Sequence, residues 1–134
     1  MDCPFCPMLT GEKPVMKIYE DEHTLVFLAG HGFEDGHMMA IPKKHVENVL
    51  DCDGETFSRL MLTVKKVANH LVNNCGYEGV NIFTAGGSAA QQTVMHLHVH
   101  IIPRKTGDGI NAWPPFRGAT ADTAQMHEKL KMPE

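Results

Sequence analysis

From Val94 to Ile102 the chain reads VMHLHVHII, with His96, His98 and His100 at every second position and Leu97, Val99 and Ile101 filling the gaps. A period of two is that of a β-strand, in which residues two apart share one face and lie about 7 Å from each other. The spacing therefore predicts a strand with three imidazoles on one side. Its other side is apolar and has to pack on a core or a helix. Threonine, lysine or glutamate would solubilise a water-facing sheet equally well, so three histidines in register mark the face as chemical. Catalysis and metal binding both remain open on this evidence.

The partner layer is legible upstream. Phe57, Leu60, Met61, Val64, Val67, Ala68, Leu71, Val72 and Cys75 recur at intervals of three and four, the single stripe of an amphipathic helix from Glu55 to about Cys75. Asp53 is placed to cap its start and Gly76 to end it. Shorter runs at 17–20 and 24–28, split by Asp21-Glu22-His23, read as a hairpin. Three glycines within 30–36 demand a loop. His37 to Ile41 is extended until Pro42 blocks a central strand, and a short helix through His45 to Val49 is expected. Val80 to Phe83 is a further strand, followed by a loop over 86–91. Beyond Pro103 the segment has no clear period and is expected to be irregular. The pattern is α+β, an antiparallel sheet of about five strands with one long and one short helix.

The length of 134 residues suits a single domain over 1–134, with its core at about 3–105 and an extension at 106–134. A net charge of −4 and scattered basic pairs argue against a nucleic-acid footprint. The longest apolar run, Leu25 to Ala29, is too short for a membrane span, and the proline-rich start lacks a signal peptide's apolar stretch. A cytoplasmic protein is expected, in which the four cysteines are thiols or metal ligands. Cys3 and Cys6 have the two-residue gap of a metal knuckle, although such a pair also occurs as a redox dithiol or as idle thiols.

HLHVHII, joined to GHMMAIPKKHVENVL and GSAAQQTVM, resembles the histidine-triad (HIT) family over roughly residues 3 to 105. The resemblance implies a nucleotide-binding hydrolase or transferase that cleaves nucleoside phosphoramidates or related nucleotidyl phosphoesters through a nucleotidyl-histidine. His98 matches the nucleophile, with His100 and His37 as supporting catalytic histidines. Gln92 and Thr93 match side chains that contact phosphate, and the loop at Gly87 and Ser88 offers further substrate-binding groups. Members with an N-terminal cysteine pair hold structural zinc with two histidines, which correspond here to His45 and His96 beside Cys3 and Cys6. A homodimer paired through the long helix and a sheet edge is implied as well.

Some positions depart from the family pattern. Ala29 stands where an acidic residue usually bonds the ribose hydroxyls, Gly30 where an apolar residue contacts the base, Ala85 where asparagine is usual and Gln91 where glycine is usual. His31 or Glu34 are the candidates to replace the missing acid. A ribose diol without a bidentate acceptor loses affinity and selectivity. These departures motivate the alternative of a non-catalytic, zinc-stabilised nucleotide-binding or protein-interaction module. A third idea makes the histidines one open catalytic metal site.

Overall fold

The computed structural model describes residues 3–30 and 32–133, so His31 lies outside the described residues. The elements run α1 (Cys6–Leu9), β1 (Lys17–Glu20), β2 (Thr24–Leu28), β3 (Met38–Pro42), α2 (Gly54–Asn74), β4 (Gly79–Phe83), a single 3₁₀ turn (Ser88–Ala90), β5 (Val99–Arg104) and α3 (Thr123–Leu130). The strands form one antiparallel sheet in the order β1-β2-β3-β5-β4. The expected α+β class with five strands and one long helix is what the structure has.

Helix α2 covers one face of the sheet. The Asp53 carboxylate accepts from Thr56 N at its start, and Leu60, Val64, Val67 and Leu71 point inward onto Val26, Ala40, Leu97, Val99 and Ile101. Burial of such side chains contributes about 1.5–3 kcal/mol each. The buried stripe is narrower than the sequence reading: Val72 and Cys75 lie on the exposed side. On the opposite face, α1 and the residues after it close over a smaller cluster of Phe5, Leu25, Phe27 and Ile41. The histidines lie on this second face.

Three expectations change. The short helix through His45 to Val49 is absent, because side chains capture the backbone groups a helix would use. The Asp51 carboxylate accepts from Glu47 N and Asn48 N, and Asn48 Oδ1 accepts from Leu50 N. The last strand begins at Val99 rather than Val94, since Leu97 N donates to Val46 O outside the sheet ladder. The alternation survives this loss: Leu97, Val99 and Ile101 all face α2. The tail contains a helix, α3, with Asp122 accepting from Gln125 N as its cap and no buried residue. Pro42 closes β3 on the β2 side, opposite Thr24 and past the end of the β5 ladder, where its missing N–H costs nothing. Among the described residues no helix is long and apolar enough to cross a membrane.

Candidate functional site

Backbone acceptors and donors fix the tautomer of each histidine in turn. A carbonyl can only accept, so the 2.7 Å contact of His98 Nδ1 with His96 O places the proton on Nδ1. In the neutral ring the lone pair of His98 is therefore on Nε2. The same logic applies to His96, which is fully buried: its Nε2 donates to Pro42 O at 3.0 Å and its Nδ1 lone pair faces the N-terminal segment.

For His37 the partner is a donor. Phe33 N–H donates to His37 Nδ1 at 3.0 Å, so the neutral ring carries its proton on Nε2 and donates that N–H to His100 Nδ1 at 2.9 Å. His100 must then hold its own proton on Nε2. A backbone amide thus sets a two-ring relay that ends in an N–H donor without a partner among the described residues, 4.9 Å between ring centres from His98. Gly32 permits the approach, because a Cβ there would fall 2.6 Å from His37 Nδ1. The Phe33 ring lies parallel on His37 at 4.4 Å. Both nitrogens of His37 are occupied and the residue is 3% exposed, so it reaches a ligand only through His100.

Burial, followed by repulsion from His98, lowers the His37 pKa below its ordinary value of 6.5. Burial also lowers His100, with His98 and His37 adding to it, to about 4. Both rings are neutral near pH 7. Their folded pKa values lie below the unfolded ones, so the unfolded chain takes up protons first as the pH falls and stability drops from about 6.5 down to about 4. After discounting for solvent around a half-buried ring, His100 should account for roughly 1 kcal/mol between pH 7 and pH 5. A His100→Asn variant should accordingly lose less melting temperature over that interval than the parent. Equal losses in calorimetry at the two pH values would show that the ring is not held neutral.

Cys3, Cys6, His45 and His96 converge although 93 residues separate the first from the last. Their ligand atoms all lie within 4.8 Å of one another. The closest approaches are His45 Nδ1 to His96 Nδ1 at 3.0 Å, Cys3 Sγ to His96 Nδ1 at 3.3 Å, and Cys6 Sγ to His45 Nδ1 at 3.4 Å and to His96 Nδ1 at 3.8 Å. Zinc bonds of about 2.0–2.1 Å to nitrogen and 2.3 Å to sulfur give tetrahedral edges of about 3.3–3.8 Å. The donor set therefore fits a closed Cys₂His₂ zinc site. The His96 bond to Pro42 O supplies the outer-shell support that metal-bound histidines ordinarily have.

Of the remaining expected residues, Ser88 and Thr93 are exposed on the irregular segment between β4 and β5. Gly87 N donates to Gln92 Oε1 at 2.8 Å, and Gln92 is itself buried. Gln91 takes φ +70, the left-handed conformation that explains why glycine suits this position. Phe5 went unnoticed in the sequence, yet its ring stands edge-on to both His96 and His98, at 5.8 and 5.3 Å. An apolar residue between two ligand cysteines was the available signal. Asn48 was missed too, and nothing in ENVL advertises its bond to Gln92. A charged groove at the start of α2, lined by Glu22, His23, Lys43, Lys44 and Arg59 among others, contains none of these residues.

A family model described as the HIT domain matches residues 10–107. An uncharacterized HIT-like protein from Borreliella burgdorferi is 41% identical over 110 residues, covering 81% of this chain and 79% of that one. An adenylylsulfatase (HINT3) from Arabidopsis thaliana is 35% identical over 107 residues, which are 80% of this chain and 54% of that protein. Among solved structures, a Zn-bound histidine triad family protein from Mycobacterium smegmatis aligns with a TM-score of 0.78 at 35% identity, covering 87% of this chain and 86% of that one. By the family model, by these identities and by the shared fold, the chain belongs to the HIT family.

Proposed function

We propose that this protein is a nucleotide-binding hydrolase or transferase that cleaves nucleoside phosphoramidates or related nucleotidyl phosphoesters through a covalent nucleotidyl-His98. The observation that carries the reading is the 2.7 Å bond from His98 Nδ1 to His96 O, which gives the neutral form of this half-buried ring its lone pair on Nε2. An activated imidazole of this kind needs no separate base. Its lone pair forms a P–N bond to the α-phosphorus while the bond to the leaving nitrogen or oxygen breaks, and the leaving group takes a proton from water. Water then attacks the same phosphorus and expels neutral His98. The adenylylsulfatase relative supports a nucleotide substrate.

His100 Nε2–H is the donor for a phosphate oxygen on which charge accumulates, and His37 holds that donor in place. Ser88 and Thr93 supply hydroxyls at the loop before β5. The Cys3, Cys6, His45 and His96 set would hold zinc with no open position, so the metal supplies rigidity and His98 stays outside it. Free thiols throughout the described residues agree with a reducing, cytoplasmic location. A homodimer would cover Leu62 and Val72 on the outer side of α2 and Ile82 on the β4 edge, all exposed in the single chain.

The decisive experiment is intact-protein mass spectrometry after brief exposure to adenosine phosphoramidate and an acid-free quench. A mass increase of one adenylyl group, absent from a His98→Asn variant, is the expected result. Adenosine monophosphate binding in calorimetry with neither adduct nor turnover would replace the enzymatic reading by that of a binding module.

A further inference from the structure

We propose that Gln92 is a positioning residue, which clasps the loop at 86–91 to the segment bearing His45 and thereby couples metal occupancy to nucleotide affinity. The inference rests on the functional reading above, in that the loop at Gly87, Ser88 and Thr93 faces the substrate phosphate.

A glutamine amide has two hydrogens to donate and two lone pairs that accept. All four are used inside the protein. Gln92 Nε2 donates to Glu47 O at 2.7 Å and to Val94 O at 2.9 Å, while Oε1 accepts from Asn48 Nδ2 at 3.1 Å and Gly87 N at 2.8 Å. The residue is 5% exposed. No atom of its side chain is left for a substrate, so any effect it has on binding passes through the groups it holds.

Those groups lie on two segments that lack strand or α-helix. One runs from Lys43 to Asp51 and carries His45 two residues before Glu47. The other runs from Thr84 to His98 and carries the phosphate-facing loop. Irregular backbone has no ladder to place it, so side-chain bonds decide where it sits. Between 43 and 51 those bonds include the two amides on Asp51, the Leu50 amide on Asn48, the ion pairs of Lys43 with Glu20 and Lys44 with Asp53, and the Gln92 clasp on Glu47 and Asn48. A second tie joins the same pair of segments: Leu97 N donates to Val46 O at 2.8 Å, between ligands His45 and His96.

The metal ligand His45 and the clasp on Glu47 and Asn48 thus hold one irregular segment at points two to three residues apart. Ordering it by a metal lowers the cost of ordering the loop for phosphate, and the reverse follows by reciprocity. Removing the clasp while leaving every ligand in place should break that link.

The test uses the zinc-loaded full chain and measures zinc release to a chromophoric chelator, with and without adenosine monophosphate, beside the nucleotide's calorimetric dissociation constant and the KM and kcat of turnover. In the parent protein nucleotide should slow zinc release several-fold. Gln92→Met removes all four bonds and should raise the nucleotide dissociation constant and KM by about tenfold, the part of that loss the loop passes on to binding, with a smaller change in kcat. Its zinc release should no longer respond to nucleotide. Asn48→Ser removes one of the four clasp bonds, leaves a hydroxyl that can still accept from Leu50 N, and as the milder variant should give an intermediate value of each readout. Zinc release in the parent that ignores bound nucleotide, while the adenylyl adduct forms normally, overturns this inference alone. So does a Gln92→Met or Asn48→Ser protein with parental coupling. A parent protein that binds no nucleotide overturns the functional reading together with it.

Discussion

His98→Ala is expected to lose turnover of adenosine phosphoramidate by about 10³-fold or more, the range that removal of an enzyme's nucleophile reaches. KM should change little, since the groups proposed to hold the phosphate, His100 and the loop before β5, remain. The ring is half-buried and gives up one hydrogen bond to His96 O and an edge contact with Phe5, so folding should survive with a loss of about 1 kcal/mol. His98→Asn sharpens the experiment: its amide can still donate to His96 O, but it has no nitrogen lone pair to attack phosphorus. It should be as inactive as the alanine variant and more stable. Added imidazole should restore part of the rate to His98→Ala by entering the space the ring leaves. A folded His98→Ala protein with parental kcat would place the chemistry elsewhere.

Much of this geometry is periodic, and periodicity is what a sequence displays. The stripe from Leu60 to Leu71 and the alternation from His96 to Ile101 each follow from one repeat distance, which is why α2 and the sheet's two faces are legible in the sequence. The resemblance to the HIT family placed Cys3, Cys6, His45 and His96 together across 93 residues of chain, a convergence no spacing rule could supply. What could not be read is where single side chains compete with the backbone. Asp51 and Asn48 dissolve the short helix expected after Pro42, and Leu97 N leaves the sheet for Val46 O, so the last strand starts five residues late. The same blindness hid the Gln92 clasp and the Phe33 amide on His37. A glutamine that contacts phosphate and one that grips four backbone and side-chain groups are written with the same letter.

Stripping zinc from the protein is expected to lower its melting temperature by roughly 10–20 °C without unfolding the sheet and α2. The estimate takes a metal present at about a thousand times its dissociation constant, which stabilises by about 4 kcal/mol, and about 4 °C per kcal/mol for a chain of this size. Two clusters divide the protein, and the loss should fall on one. Val26, Ala40, Leu60, Val64, Leu97 and Val99 pack together without help from the N-terminal segment. Phe5, by contrast, is held between two ligand cysteines while it completes the cluster of Leu25, Phe27 and Ile41. Without the metal, four unbalanced donor groups remain at that junction, and α1, a single turn whose Met8 N donates to Phe5 O, is too short to persist by itself. Amide exchange at Met8 and at Lys13, whose N–H donates to Pro7 O, should therefore accelerate far more than exchange between Leu60 and Leu71. Cys6→Ala should reproduce the chelated melting temperature and show no further drop with chelator. A Cys6→Ala protein that melts with the metal-loaded parent would leave the cysteine pair without a structural role. Because Phe5 stands edge-on to His98, loss of the metal should also lower turnover, and the calorimetric shift and the rate should fall together as chelator is titrated.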